Sequence, residues 1–273
     1  MLGIRHWGKI AFLGLAIRVA LIMLLSQYES IYNQDLALTD IDYKVYSDAA
    51  LYDSPYERHT YRYSPLLAYL MAFNYSHHEV IGKIILALFD VFAIGLVYYV
   101  NSRNENEIIG TNYGMLSAKI YAFNPLFIYL TVRGSCESIT LCLLYAFWSL
   151  YWGGKADGHK SILEMRAKRV DQHQPSVQKR WASYAIFGLL VHFRIYPILF
   201  VPFILAHQYH LSHTNKVSAL IKGFFEISLV AGGVFLGLGL LFYSWYGRQF
   251  VEETYLYHWG RLDNRHSFSA FFY

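Results

Sequence analysis

The amino-acid sequence predicts an all-α protein, a polytopic transmembrane helical bundle. Hydrophobic residues make up 55% of the 273 residues and charged residues only 15%, whereas a soluble domain carries about 25% charged residues. Apolar runs long enough to cross roughly 30 Å of hydrocarbon recur along the chain. Polar stretches separate these runs, and they are rich in tyrosine, which suits membrane interfaces and polar cavities.

The apolar runs predict about seven spans. These are residues 10–25, 81–100, 113–131, 136–152, 181–193, 195–209 and 223–245. The first run is similar to a secretory leader, but it lacks a small-residue cleavage site, so we interpret it as a retained helix. A hairpin turn is expected at Arg133–Glu137. Within 181–209 we favour two short helices, because Pro197 breaks helical hydrogen bonds and Arg194 would be costly in the middle of one span.

Two long polar segments join the predicted spans into a single transmembrane domain, residues 1–273. The first, 26–80, is longer than structureless loops usually are, so we expect short helices lying along the membrane surface. The second, 153–180, contains seven Lys or Arg residues and no apolar run. By the positive-inside rule this basic loop faces the cytosol, which places the 26–80 loop on the opposite, luminal side.

The first polar loop contains a D-x-D pair, Asp40 and Asp42, among arginines and tyrosines. In extended backbone, side chains two residues apart point the same way, so both carboxylates would meet at one metal ion, one cation or one hydroxyl. The alternative is a helix N-cap at Thr39 or Asp40, with the acids favoured by the helix dipole. Taken alone, the pair favours the cap.

Mixed-charge, aromatic-rich clusters fall on the same predicted face of the bundle. They occupy residues 39–65, 131–137, 192–197 and 248–273. Their cations are nearly all arginine, whose planar guanidinium group grips carboxylates and phosphates. This convergence predicts an active site built on loops over the bundle, and it moves the interpretation of the D-x-D pair from cap to catalysis.

Five stretches, in order along nearly the whole chain, resemble the first mannosyltransferase of glycosylphosphatidylinositol (GPI) assembly, the PIG-M family. They are TDIDY (39–43), SDAALYDSPYERHTYRYSPLLAYL (47–70), NPLFIYLTVRGSCES (124–138), GLLVHFRIYP (188–197) and YLYHWGRLDNRHSFSAFFY (255–273). The resemblance implies a glycosyltransferase-C fold with a catalytic first luminal loop. It places the family's acidic motif on Asp40 and Asp42.

The resemblance also implies the reaction and its setting. The donor would be dolichyl-phosphate mannose, the acceptor glucosaminyl-(acyl)phosphatidylinositol, the linkage α-1,4 and the location the endoplasmic reticulum membrane. Some relatives work with a small membrane subunit, so a PIG-X-like partner is expected. Family members run on with several more hydrophobic spans, so we expect further C-terminal spans beyond Tyr273.

Going from a β-linked donor to an α product inverts the anomeric centre, and the simplest mechanism is one displacement. Asp40 or Asp42 would take the proton from the acceptor hydroxyl as phosphate leaves, and the sequence does not choose between them. The alternative is that both ligate a divalent cation, for which carboxylate oxygens are suitable. The base is ranked first, because the family fold often works without a tightly held metal.

Substrate-binding residues are predicted from all four clusters. They are Asp48, Tyr61, Arg62, Arg133, Glu137, His192, Arg194, Arg261, Asp263, Arg265 and His266. For the arginines the alternative is an ion pair that holds a loop, with Glu137 as partner of Arg133 and Asp263 as partner of Arg261. For His192 a structural role is favoured.

Two other functions are consistent with the sequence. A transporter or channel would line a path with ionisable groups inside its spans, but most such groups lie at loop ends on one side and no internal repeat is seen. A non-catalytic, truncated relative of the family is the other. Asp90, inside the second span, is expected to be functional or paired, with Lys83 or Arg18 as partner.

Overall fold

The computed structural model describes residues 2–32, 38–102, 107–152, 176–212 and 215–258. Every regular element within these ranges is helical, which confirms the all-α prediction. The α-helices are α1 Leu2–Tyr32, α2 Ile41–Ala49, α3 Pro65–Met71, α4 Phe73–Ser76, α5 Ile81–Asn101, α6 Glu107–Phe123, α7 Pro125–Arg133, α8 Glu137–Tyr151, α9 Val177–Phe193, α10 Val201–Leu211 and α11 Lys216–Thr254. Short 3-10 turns cover Pro55–Glu57, Tyr196–Phe200 and Leu256–His258.

Several helices are long and apolar enough to cross a membrane. In the described part of the chain these are Trp7–Ile31 within α1, α5 and α11, and α6 with α7 makes a fourth if the bent pair is one span. Helices α8, α9 and α10 have only 15, 17 and 11 residues. The count of seven spans and the membrane side that each loop faces therefore stay predictions.

The predicted span at 113–131 is two helices, α6 and α7, which meet at an angle of 47°. Asn124 lies at the break, and its side chain accepts a hydrogen bond from the backbone N–H of Leu126 at 2.9 Å. Pro125 is the first residue of α7, where its missing N–H costs nothing. The local sequence thus both ends α6 and starts α7.

The polypeptide turns sharply after α7 and after α9. Gly134 ends α7 in the left-handed conformation, with φ of 89°, so α7 and α8 form the hairpin expected at Arg133–Glu137. Arg194 is extended and separates α9 from the 3-10 turn that follows. Segment 181–209 therefore contains two helical pieces, not one kinked helix.

A buried ion pair joins the first helices of the bundle. Arg18 Nε lies 2.8 Å from Asp90 Oδ2, and the two side chains are 0% and 2% exposed. Arg18 also donates to the carbonyl oxygens of Gly14 and Ala122, while Asp90 accepts hydrogen bonds from Tyr121 and Thr131. Since buried charges are tolerated when they are paired and hydrogen-bonded, this network fixes α1, α5, α6 and α7 together.

We predict that Arg18→Ala destabilises the protein by about 3–5 kcal/mol, because it leaves the Asp90 carboxylate buried without its counter-ion. The free energy of unfolding in detergent micelles is the measurement. Arg248→Ala is the matched control, since Arg248 and Glu252 form a pair on the exposed surface of α11. Equal effects of the two substitutions would show that the buried pair does not hold the bundle.

Candidate active site

The backbone just before α2 is anchored to two long helices. The backbone N–H and the hydroxyl of Thr39 donate to the two carboxylate oxygens of Glu29 in α1, at 2.7 and 2.6 Å. Lys83 of α5 donates to the same hydroxyl at 2.7 Å. The start of α2 is therefore held in place by groups outside the loop itself.

Asp40 is the N-cap of α2. Its backbone is extended, with φ of −62° and ψ of 138°, and its side chain accepts a hydrogen bond from the N–H of Asp42 at 3.1 Å. Its own N–H donates to the carbonyl oxygen of Arg133 at 2.9 Å. The second carboxylate oxygen lies 3.5 Å from the Arg133 guanidinium group. The cap, which the sequence offered as the alternative, is therefore what Asp40 forms, and both of its carboxylate oxygens have partners.

Asp42 is the second residue of α2, and its side chain is exposed in the first turn. Its Oδ2 accepts a 2.6 Å hydrogen bond from the hydroxyl of Tyr63. Burial and this hydrogen bond both raise the pKa of Tyr63, so its hydroxyl stays protonated and donates. Oδ1 of Asp42 has no hydrogen-bond or ion-pair partner within the described ranges, which leaves one oxygen of this carboxylate open.

Arg194 lies beside this pair. Its guanidinium carbon is 5.3 Å from the centre of the Tyr63 ring, a distance at which cations are attracted to the ring face. Arg194 also forms a 3.0 Å ion pair with Glu137 and donates to the sulfur of Cys136. Tyr196 donates to Glu137 at 3.4 Å. The ring of Tyr63 thus links Arg194 and its partner Glu137, from the 192–197 and 131–137 clusters, to the segment that carries the D-x-D pair.

The turn between α7 and α8 is docked onto α2. The hydroxyl of Tyr46 donates to the carbonyl oxygen of Gly134, and the Tyr43 ring lies directly against the glycine. A Cβ atom on Gly134 would lie only 2.7 Å from Cγ of Tyr43. Glycine is thus required twice, for the left-handed backbone and for the close approach of the tyrosine.

We predict that Gly134→Ala destabilises the protein by about 1–3 kcal/mol, because it combines an unfavourable backbone conformation with a clash. It also shifts α2, so substrate binding at the D-x-D pair should weaken. Gly232→Ala in α11 is the control, since no atom lies within 4 Å of its added Cβ. Thermal unfolding midpoints of both variants in the same detergent give the comparison, and equal midpoints would contradict the docking argument.

The other predicted binding residues in the first loop hold the loop itself. Arg62 pairs with Glu253 at 2.5 Å and lies over the Tyr257 ring at 4.2 Å. Asp48 pairs with Arg58 at 3.2 Å. These contacts tie the loop to the end of α11 and to itself, as the ion-pair alternative proposed.

Tyr61 and His192 are buried, at 0% and 1% exposure. The hydroxyl of Tyr61 donates to the carbonyl oxygen of Ser64 at 2.6 Å. The two ring nitrogens of His192 lie 3.1 Å from the Ser64 hydroxyl and 2.9 Å from that of Tyr255. Both side chains are therefore buried and hydrogen-bonded within the protein, and their substrate-binding role stays a prediction.

Some predicted residues lie outside the described ranges. These are Arg261, Asp263, Arg265 and His266. In the described part of the chain, no group of three His, Cys, Asp or Glu side chains is placed to share a metal ion.

Two partners differ from the sequence expectations. Arg133 pairs with Asp40 and not with Glu137, because the N-cap brings Asp40 against the end of α7, while Glu137 faces Arg194. Tyr63 was not predicted to be the partner of Asp42. It is one of seven tyrosines between positions 43 and 69, and nothing in that pattern distinguishes it.

The described parts of all four polar clusters therefore meet at one end of the helical bundle. The first loop contacts the α7–α8 turn through Asp40 and Tyr46, and it contacts the 192–197 segment through Tyr63 and Ser64. It reaches the end of α11 where Tyr56 contacts Thr254 at 2.8 Å. The arrangement brings one open carboxylate oxygen, a tyrosine hydroxyl and two guanidinium groups together, which suits proton transfer from a hydroxyl next to a phosphate.

Comparison with known proteins identifies the family. Residues 130–273 match the family model described as mannosyltransferase (PIG-M). The chain belongs to the PIG-M mannosyltransferase family. The match starts in α7 and includes the turn at Gly134, the Glu137–Arg194 pair and the end of α11.

Individual relatives extend the similarity over the D-x-D segment. GPI mannosyltransferase 1 of Dictyostelium discoideum is 32% identical over 99% of this chain. The Saccharomyces cerevisiae protein of the same name is 31% identical over 87% of the chain. The GPI alpha-1,4-mannosyltransferase I catalytic subunit of Danio rerio is 32% identical over 87%. The chain spans only 60%, 53% and 56% of these relatives, and no solved structure matches it.

Proposed function

We propose that this PIG-M family chain transfers the first mannose of the GPI anchor. The donor is dolichyl-phosphate mannose, the acceptor is glucosaminyl-(acyl)phosphatidylinositol, and the product linkage is α-1,4. The observation that carries the proposal is the open carboxylate oxygen of Asp42 in a member of this family. Tyr63, which also contacts Arg194, holds this carboxylate, and the neighbouring Asp40 is paired with Arg133. The Danio rerio relative, GPI alpha-1,4-mannosyltransferase I, supports the linkage by its name.

The two carboxylates have different roles in this proposal. Asp40 is engaged at both oxygens, by the cap and by Arg133, so it positions the site. Asp42 has one oxygen held by Tyr63 and one open, so it is the general base. A hydrogen bond on one oxygen fixes the direction in which the other points, and a base must lie within hydrogen-bond reach of the proton that it takes.

The reaction is a single displacement with inversion. Asp42 takes the proton of the acceptor hydroxyl, and the hydroxyl oxygen forms a bond to the anomeric carbon of mannose from the face opposite the phosphate. The bond between that carbon and the phosphate oxygen breaks, and dolichyl phosphate leaves with the electron pair. Guanidinium groups stabilise the charge that develops on the phosphate. The β-linked donor thereby gives the α-linked product.

The setting follows from the same proposal. The protein lies in the endoplasmic reticulum membrane with the D-x-D end of the bundle toward the lumen, and a small PIG-X-like membrane subunit is its expected partner. A divalent cation held jointly by Asp40 and Asp42 is the competing role for the pair. The partners that Asp40 already has favour the base.

We predict that Asp42→Asn lowers mannose transfer by about a hundredfold or more, because it removes the base. Asp40→Asn should retain measurable transfer, since asparagine caps a helix as well as aspartate does. The assay is transfer of radiolabelled mannose from dolichyl-phosphate mannose to glucosaminyl-phosphatidylinositol by membranes that contain the chain.

Three results would contradict this account. Absence of transfer by the folded, full-length wild-type protein would favour a non-catalytic relative and remove the proposed activity. A larger loss in Asp40→Asn than in Asp42→Asn would exchange the two roles. Loss of activity with a chelator, restored by a divalent cation, would assign the pair to metal binding.

A second prediction concerns Tyr63. Tyr63→Phe keeps the ring that contacts Tyr46 and Arg194 and removes only the hydroxyl that holds Asp42, so we expect kcat to fall by about tenfold with KM unchanged. Tyr52→Phe is the control, because Tyr52 is exposed on the same loop. A Tyr63→Phe enzyme with wild-type kcat would show that the hydroxyl does not position the base.

A further inference from the structure

An apolar groove runs along the bundle between α1 and α7 and has a volume of about 740 Å³. One wall is a stripe of α1 at positions 21, 24, 25 and 28, spaced so that the side chains share one face of the helix. Leu21 and Leu24 in this stripe are 40% and 62% exposed. The volume lies within the range of pockets that bind small organic molecules.

The opposite wall is a matching stripe of α7. Pro125, Ile128, Tyr129 and Val132 line the groove at the same helical spacing. Because α7 bends away from α6 by 47°, its stripe faces α1 along the full length of the short helix. The groove thus has two apolar walls, both on helices that the sequence predicts to lie in the membrane.

One end of the groove carries a single positive charge. Arg133, the last residue of α7, lines the groove together with Leu38. The same guanidinium group is 3.5 Å from the Asp40 carboxylate and donates to the carbonyl oxygen of Leu38 at 3.1 Å. An occupant with a hydrocarbon chain and an anionic end would therefore present its anion to the D-x-D pair.

We propose that the groove between α1 and α7 binds the hydrocarbon chain of the donor, a polyisoprenoid lipid, with the donor phosphate at Arg133. This rests on the proposed function and deepens it by assigning the lipid to a place in the fold. The phosphate of the donor is bonded directly to the anomeric carbon of the sugar that is transferred, so it must lie close to the site of transfer, on the face of the sugar away from the base. In the acceptor, an inositol and a glucosamine ring separate the phosphate from the reacting hydroxyl.

A single groove between two helices also suits a lipid with one chain better than one with several. With the phosphate at Arg133, the two aspartates have different roles in the reaction. Arg133 and Asp40 lie on the phosphate side of the mannose, and the open oxygen of Asp42 serves the hydroxyl that attacks from the other side.

Photolabelling tests the assignment without requiring transfer. The complete chain in phosphatidylcholine nanodiscs is illuminated with a polyisoprenyl monophosphate that carries a diazirine in its chain, and the labelled peptides are mapped by mass spectrometry. We expect label in residues 21–28 and 125–133. Neutral polyisoprenol with the same diazirine should label these peptides about tenfold less, because a charge-assisted hydrogen bond to Arg133 is lost.

Matched variants sharpen the test. Leu24→Trp fills the groove from an exposed position, so labelling should fall about tenfold. Met23→Trp is the control, since Met23 is 50% exposed on the same helix but does not line the groove. Arg133→Gln should retain labelling but make the phosphate and the alcohol probes equal.

Several outcomes would overturn the inference. These are label outside the two helices, equal effects of the two tryptophan variants, no preference for phosphate in the wild-type chain, or stronger labelling of the groove by a diazirine phosphatidylinositol. No labelling of a folded chain would mean that another segment of the protein covers the groove. Each of these results leaves the Asp42 transfer assay intact, so failure of the groove and failure of the proposed function are distinguishable.

Discussion

The contact between the start of α2 and the turn after α7 is the constraint on which the candidate site depends. Asp40 reaches this turn twice, with its backbone N–H on the Arg133 carbonyl and with its carboxylate on the Arg133 side chain. Tyr46 holds the next carbonyl, that of Gly134. A nine-residue helix has little stability of its own, so these tertiary contacts decide where α2 lies and in which direction Asp42 points.

The contact has a defined geometry because the turn after α7 and the start of α2 are each fixed by a separate hydrogen-bond network. Beneath the turn, the Arg18–Asp90 pair joins α1 and α5, and Thr131 of α7 is bonded to the same carboxylate. At the start of α2, Thr39 is bonded to Glu29 and Lys83. Paired and hydrogen-bonded buried charges of this kind favour one arrangement of the helices that carry them. The helices of the bundle therefore hold the candidate site in place, and the loop contributes its side chains. Catalytic groups generally need such rigid support.

Much of this architecture was predictable from sequence. The hydropathy pattern predicted the helical class, the polar stretch at 131–137 predicted the hairpin, and Pro197 with Arg194 predicted the break after α9. Charged residues inside a span are usually paired, so a partner was expected for Asp90. The observed partner, Arg18, is one of the two residues that were predicted. Contact of the first loop with the 131–137 and 192–197 clusters was also expected, because all of these polar and charged segments were predicted to lie on the same side of the bundle.

The details of the site were less predictable, because they depend on contacts between distant segments. Local sequence allows Asp40 to be a cap or a catalytic group, and only its contact with Arg133 shows that both of its oxygens are occupied. The choice between Arg133 and Arg194 as partner of Glu137 depends on a turn geometry that spacing does not encode. Tyr63 could not be distinguished from the neighbouring tyrosines, because in a tyrosine-rich loop the sequence does not show which hydroxyl bonds to Asp42.

The central claim is that the reaction takes place at the open oxygen of Asp42, over the end of α7. An electron cryo-microscopy structure of the protein with a non-transferable phosphonate analogue of dolichyl-phosphate mannose tests it most directly. The account predicts density for the mannose between Asp42 and Arg133, with the phosphonate at Arg133 and space for the acceptor hydroxyl between the anomeric carbon and the open oxygen of Asp42. Sugar density away from the start of α2, with the Asp42–Tyr63 hydrogen bond facing only solvent, would contradict it.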